Sequence, residues 1–313
     1  TLFRSYILDN FGNNKYFFVF ISPERFQTKD FRDRLDAINC HSNFSYAVID
    51  EVHCLSEWGH DFRTSYLNLS KTIHKFCGGA KFLGLTATAS VNVLKDVQLE
   101  FDIKQEDVKT LVDYSRPELE FIVLEDESDK YGKLKSILDK EEGNYNFKEI
   151  DDLSSNQRSA LIFTPFVNGQ YGCFQVANRL TSDYGVPVKF YSGSKPKDFK
   201  SDVDFDKYKI NVQSDFKVDK FRILAATKAF GMGINKRNIG LTFHYGIPAS
   251  MEALYQEAGR AGRDKNNAKC YVILSKEKEE TELEKIFNSE ASFEDINSVL
   301  DSAGFNKGDV LRQ

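Results

Sequence analysis

The chain has 313 residues, enough for two domains of ordinary size, each with its own core. Hydrophobic residues at 41% exclude a disordered chain, and a net charge of −5 excludes a general basic coat while leaving room for a local basic groove. No apolar run approaches membrane-spanning length, no signal peptide is visible, and five scattered cysteines without a CxxC pair fit a reducing compartment, so no zinc site is expected.

Taken in order, residues 15–25 (KYFFVFISPER) read as a buried strand running into a polar turn. Ser22 and Arg25 are suitable donors to phosphate oxygens, and Ser22 is equally suited to cap a helix. Residues 31–38 have helical spacing. Residues 46–49 (YAVI) are an apolar run that suits a strand covered on both faces. That strand ends in Asp50 and Glu51, then Val52 and His53. Two carboxylates at a strand's C-terminal end sit where α/β sheets bind ligands: Asp50 can hold a divalent ion and Glu51 can orient or deprotonate water. An isolated acid pair here is otherwise an N-cap. Trp58, His60, Phe62 and Arg63 follow in a polar loop, the parts of a base-stacking surface or of ordinary packing. Residues 65–76 read as an amphipathic helix, and residues 81–89 (KFLGLTATA) as a third strand ending in hydroxyls.

Residues 114–119 (YSRPEL) break the pattern with a proline, which marks the domain boundary. The second domain opens with a strand at 121–124 and a helix at 130–139, and 141–158 reads as a solvated polar loop. Residues 160–165 (ALIFTP) are a buried strand ending at Thr164, and 188–193 are another strand. The Lys- and Asp-rich residues 195–209 read as a solvated connector. Residues 221–235 (FRILAATKAFGMGIN) form a strand ending at Thr227, followed by a glycine turn that lets backbone approach a ligand. In 255–264 (YQEAGRAGRD), Gln256, Arg260 and Arg263 are spaced to share one helical face. Residues 268–275 are a closing strand, and 276–313 a charged helical tail without cysteine.

The string DEVH-CLSEWGHDFR at 50–63 resembles motif II and the aromatic-rich loop of the RecQ family of superfamily 2 DNA helicases. In sequence order, 15–25, 81–89, 160–165, 221–235 and 255–264 are similar to motifs Ib, III, IV, V and VI of that family. The resemblance implies an α/β fold of two RecA-like domains with mostly parallel sheets, at 1–118 and 119–275. It implies an ATP-dependent DNA helicase that translocates 3′ to 5′ on single-stranded DNA and unwinds duplex. It assigns catalysis to Asp50, Glu51, Gln256, Arg260 and Arg263, with Mg²⁺ on Asp50. It assigns ATP contact to Asp50, Glu51, His53, Gly233, Asn235, Arg260 and Arg263. It assigns nucleic-acid contact to Ser22, Arg25, Trp58, His60, Phe62, Arg63, Thr164 and Thr227. Single-stranded and forked DNA are the implied partners, with repair or recombination proteins, in a cytoplasmic (nucleoid) or nuclear setting.

Five positions depart from the family pattern: Val52 where it usually has Ala, Glu118 near which it usually has Asn, Tyr191 where it often has His, Arg237 where it has Pro, and Gly240 where it usually has Arg. No G-x-x-x-x-G-K-[ST] phosphate loop occurs in the sequence. With Thr1 as its first residue, the chain reads as a fragment whose first domain is incomplete, expected to be inactive alone. An RNA helicase or remodeller, and a non-hydrolysing nucleic-acid-binding regulatory protein, are the alternatives.

Overall fold

The computed structural model describes residues 2–39, 43–56, 64–66, 69–86, 91–110, 115–126, 128–148, 157–199, 201–231, 235–246, 248 and 251–274. The chain divides into two compact units, Thr1–Tyr114 and Ser115–Gln313.

In the first unit, helices α1 (Leu2–Gly12), α2 (Lys29–Asn39), α3 (Leu69–Phe76) and α4 (Val91–Phe101) share one core with a parallel pair, β1 (Tyr46–Ile49) and β2 (Lys81–Gly84). Each helix buries the stripe its spacing dictates. Helix α2 buries Phe31, Leu35 and Ile38, α3 buries Leu69, Ile73 and Phe76, and α4 buries Val93, Val97 and Phe101. Phe11 of α1 stacks on Phe31 at 5.2 Å between ring centroids.

Two expectations fail in this unit. Residues 15–22 form no strand, and Phe17, Phe18 and Phe20 are fully or almost fully exposed. Strand β1 is covered on one face only: Ile49 is buried, whereas Tyr46 and Val48 face solvent with Leu83 of β2. An apolar run is buried only where neighbouring strands and helices cover it, and the described sheet here is two strands wide. A smaller correction concerns residues 65–76, where Thr64–Tyr66 is a 3-10 turn and the helix begins at Leu69.

The second unit is a six-stranded, all-parallel sheet. Its strands are β3 (Leu119–Glu125), β4 (Ser159–Phe163), β5 (Val188–Tyr191), β6 (Ile223–Ala226), β7 (Ile239–His244) and β8 (Ala268–Leu274), in the order β3-β8-β7-β4-β6-β5. Strands β4, β6 and β7 are buried along their whole length. On β4, Ala160 and Ile162 enter one core with Leu134 and Leu138 of α5 (Lys130–Tyr145) and Val176 and Leu180 of α6 (Cys173–Tyr184). Leu161 and Phe163 enter a second core with Val212 and Phe216 of α7 (Asp202–Lys217) and Ala258 of α8 (Met251–Ala258). The sheet is therefore covered on both faces, which explains its uninterrupted apolar strands.

Two polar segments expected to be solvated loops are helical instead. Residues 141–145 belong to α5, not to a loop: Glu141 is fully buried and accepts hydrogen bonds from Lys269 Nζ (2.8 Å) and Tyr271 Oη (2.7 Å). Residues 202–209 begin α7, capped where the Ser201 hydroxyl accepts from Asp204 N (3.3 Å). Asp219 pins the starts of β6 and β7 by accepting from Arg222 Nη1 (3.2 Å), Lys236 Nζ (2.6 Å) and Asn238 Nδ2 (3.2 Å). Gly240 lies in β7 against the Tyr145 ring, where a side chain would collide with it at 2.8 Å.

Candidate functional site

In the first unit, the exits of β1 and β2 are knitted together: Leu85 N donates to Ile49 O (2.9 Å) and Val52 N to Leu85 O (3.0 Å). Asp50 is exposed at this edge, and its Oδ1 accepts from Glu51 N at 3.0 Å. Glu51 has φ 50° and ψ 44°. A non-glycine residue in this left-handed region costs on the order of 1–3 kcal/mol and persists only where the surroundings impose it. Here the buried turn Val52–Leu55 imposes it.

His53, 4% exposed, provides the other restraint. Its Nδ1 lies 2.8 Å from Thr86 Oγ1 and 3.3 Å from Glu51 Oε2. One ring nitrogen thus joins the acid at the end of β1 to a hydroxyl just beyond β2. Tyr66 Oη donates to Asp50 O at 3.4 Å from the far side. An exposed, oriented carboxylate is the hard oxygen donor that suits Mg²⁺, which keeps several of its waters and takes one or two protein carboxylates.

Ser22 and Arg25 are exposed on the 3-10 turn Pro23–Gln27, and Ser22 makes no side-chain capping bond. Ser65 Oγ donates to Glu24 Oε1 (3.0 Å), which fixes that turn within the unit. Trp58, His60, Phe62 and Arg63 lie outside the described residues, as does Gly233.

In the second unit, the connection from β4 leads towards β5 and that from β7 towards β8. The two strands stay paired to their last residues while their connections run in opposite directions, and ligands of α/β sheets bind at such a switch point, outside the C-terminal ends of the strands. Thr164 and Thr227 lie on this edge, with Thr164 N bonded to Ala226 O (2.8 Å) and Thr227 N to Tyr191 O (3.0 Å). Both are buried, and the Thr164 hydroxyl donates to Phe166 O at 3.0 Å, so the pair presents a tightly held backbone edge.

The arginines depart from the expected helix. Helix α8 ends at Ala258, so only Gln256 of the three lies on it. Gly259 and Gly262 follow, and Gly262 has φ +64°. The helix stops before Gly259, where a Cβ would meet Tyr255 O at 2.8 Å, and Gly262 turns the chain again in the left-handed region, which glycine enters at no steric cost. Arg260 and Arg263 therefore sit on a turn, not on one helical face. Arg263 is exposed, and its Nη1 donates to Asn235 Oδ1 at 3.3 Å, which joins residues expected from two separate motifs. Desolvation and the neighbouring Arg116 charge lower its pKa. Arg116 was not anticipated, although it stands in the YSRPEL segment.

The sequence matches two family models: "DEAD/DEAH box helicase" over residues 5–97 and "Helicase conserved C-terminal domain" over residues 144–265. The fold is similar to that of S. cerevisiae Dbp5 bound to RNA and ADP BeF3, with a TM-score of 0.54 at 15% identity, covering 80% of this chain and 60% of that one. Fold and motifs together define a RecA-like helicase core of superfamily 2. Mouse "ATP-dependent DNA helicase Q5" is 32% identical over 265 residues, which is 82% of this chain and 24% of the relative. "ATP-dependent DNA helicase RecQ" of Bacillus subtilis (strain 168) is 30% identical over 271 residues, 86% of this chain and 40% of the relative. The chain belongs to the RecQ family, and it spans less than half the length of these two relatives.

Proposed function

We propose that the full-length protein is an ATP-dependent DNA helicase of RecQ type, moving 3′ to 5′ on single-stranded DNA and opening forked duplex. The observation that carries this reading is the Asp50–Glu51 pair at the exit of β1, with Glu51 held through His53 to Thr86. Bound Mg²⁺ would neutralise phosphate charge and orient the nucleotide. Asp50 is the residue to hold it. Glu51 orients the attacking water and accepts its proton, and its restrained backbone keeps the carboxylate in one position before substrate arrives. Asn235 fixes the reach of Arg263, whose guanidinium, with that of Arg260, neutralises charge developing on the γ-phosphoryl group.

Ser22 and Arg25 on the first unit, and the Thr164–Thr227 edge on the second, are assigned to the DNA backbone. Trp58, His60, Phe62 and Arg63 are assigned to stacked bases. The implied partners are single-stranded and forked DNA and the repair or recombination proteins that act on them, in the nucleoid or nucleus.

The test compares wild type and Glu51→Gln as full-length proteins for ATP hydrolysis and DNA affinity. The substitution keeps shape and hydrogen bonding but removes the base, so hydrolysis falls by roughly 10²–10⁴-fold while DNA still binds. Wild-type turnover by Glu51→Gln would overturn the assignment. Stimulation by RNA and not by DNA would move the protein to the RNA-dependent class.

A further inference from the structure

Arg116 precedes β3, and its guanidinium is committed in three directions. Nε donates to Glu118 Oε1, Nη1 to the Gly259 carbonyl (3.3 Å) and Nη2 to the Ala261 carbonyl (2.9 Å). Gly259 and Ala261 are the residues on either side of Arg260. They follow the end of α8, where carbonyls have lost their helical donors and accept from whatever side chain is offered. A planar fork meets these two carbonyls and a carboxylate from three separate nitrogens at fixed spacing, a geometry that the single nitrogen of an ammonium does not reproduce.

Glu118 completes the grip. The hydrogen bond from Arg116 is the largest cause holding its carboxyl below the usual glutamate range, so the counter-charge that orients the guanidinium stays ionised. Its Cγ lies 2.9 Å from where a side chain on Gly262 would begin, and its carbonyl accepts from Ala268 N at 2.8 Å. Residues 116–118 therefore hold the arginine-bearing turn at Gly259, Ala261 and Gly262. All three guanidinium nitrogens donate to the turn or to its counter-ion, so the side chain's geometry is that of a holder of the turn.

We propose that Arg116 is a positioning residue for nucleotide hydrolysis: by clamping the backbone on both sides of Arg260 it sets where the Arg260 and Arg263 guanidiniums reach, with Glu118 as its orienting counter-ion. Arg116 adds its own positive charge beside Arg263, and its hydrogen bonds to Gly259, Ala261 and Glu118 hold it there against that repulsion. This inference rests on the hydrolytic function proposed above.

The test uses the full-length protein with Arg116→Ala, Arg116→Lys and Glu118→Gln, read by amide hydrogen exchange and by steady-state ATP hydrolysis on single-stranded DNA. In Arg116→Ala the amides of residues 259–262, all hydrogen-bonded in the native turn, exchange about tenfold faster, while those of β4 and β6 keep their protection. Its kcat falls by roughly tenfold to a hundredfold with a much smaller change in KM for ATP. Arg116→Lys, which keeps the charge but not the fork, recovers part of the kcat, and Glu118→Gln shifts both readouts in the same direction by less. If Arg116→Ala does not fold, these two variants carry the decision.

Unchanged exchange at 259–262 would overturn the clamp. Faster exchange there with kcat within about twofold of wild type would overturn its part in hydrolysis. A wild type that does not hydrolyse ATP would overturn the function itself, and this role with it, while the exchange result would still decide whether Arg116 holds the turn.

Discussion

His53 Nδ1 stands 2.8 Å from the Thr86 hydroxyl, and through that contact the end of one strand restrains the acid at the end of its neighbour. Thr86→Val keeps the side-chain shape but removes the hydroxyl, leaving the buried imidazole without that partner. In the full-length protein, kcat for ATP should fall by about tenfold with little change in nucleotide affinity, and Thr86→Ser should restore it. Steady-state hydrolysis and equilibrium nucleotide titration check this.

Arg263 should not tolerate lysine. An arginine supplied to a γ-phosphoryl group contributes on the order of 10³–10⁵ in rate in related NTPases, and an ammonium lacks the planar fork. Arg263→Lys should therefore lose most hydrolysis and retain much of its nucleotide affinity. An active Arg263→Lys enzyme would shift the role to Arg260.

Gly262→Ala should damage both stability and turnover. The backbone there has φ +64°, and a Cβ would sit 2.9 Å from Glu118 Cγ. Left-handed conformation costs a non-glycine residue about 1–2 kcal/mol before any clash is relieved. The expected outcome is a lower melting temperature and a reduced kcat, because the turn carrying the arginines must shift to make room.

Glu141 gives the second unit a defined acid sensitivity. Burial raises its pKa, but hydrogen bonds from Lys269, Tyr271 and Asn144 outweigh that and leave it below the ordinary 4.5. A carboxylate depressed in the folded state stabilises fully above the unfolded pKa, and the contribution disappears as pH falls through the folded value. Glu141→Gln should cost about 2 kcal/mol near neutral pH, since it loses a charge-assisted pair and misdirects a donor. The gap between variant and wild type should narrow steadily below pH 4.5, as urea unfolding at several pH values would reveal.

The acid pair was legible in the sequence because an apolar run ending abruptly in Asp50 and Glu51 is a local pattern. The same rule failed at residues 15–22, since burial depends on neighbours that a run does not specify. The spacing of Gln256, Arg260 and Arg263 suggests one helical face, but the helix stops at Ala258 and Gly262 turns the chain again, so both arginines leave that face. Glu141 looked solvated because its partners Lys269 and Tyr271 come from the last strand. Arg116 was invisible as a clamp for the same reason: the carbonyls it grips lie 143 and 145 positions away.

The order β3-β8-β7-β4-β6-β5 has a consequence for synthesis. Among the described residues, the first strand of the second unit to leave the ribosome, β3, pairs with β8 alone, so its hydrogen-bonding edge must wait while the intervening strands are translated. At ordinary elongation rates that interval is on the order of ten seconds. Throughout it, Phe121 and Val123, still largely exposed in the finished structure, stand beside an unpaired strand edge. The nascent chain is thus most exposed to misassociation just before β8 emerges, and a holdase acting on residues 119–125 would protect it until closure.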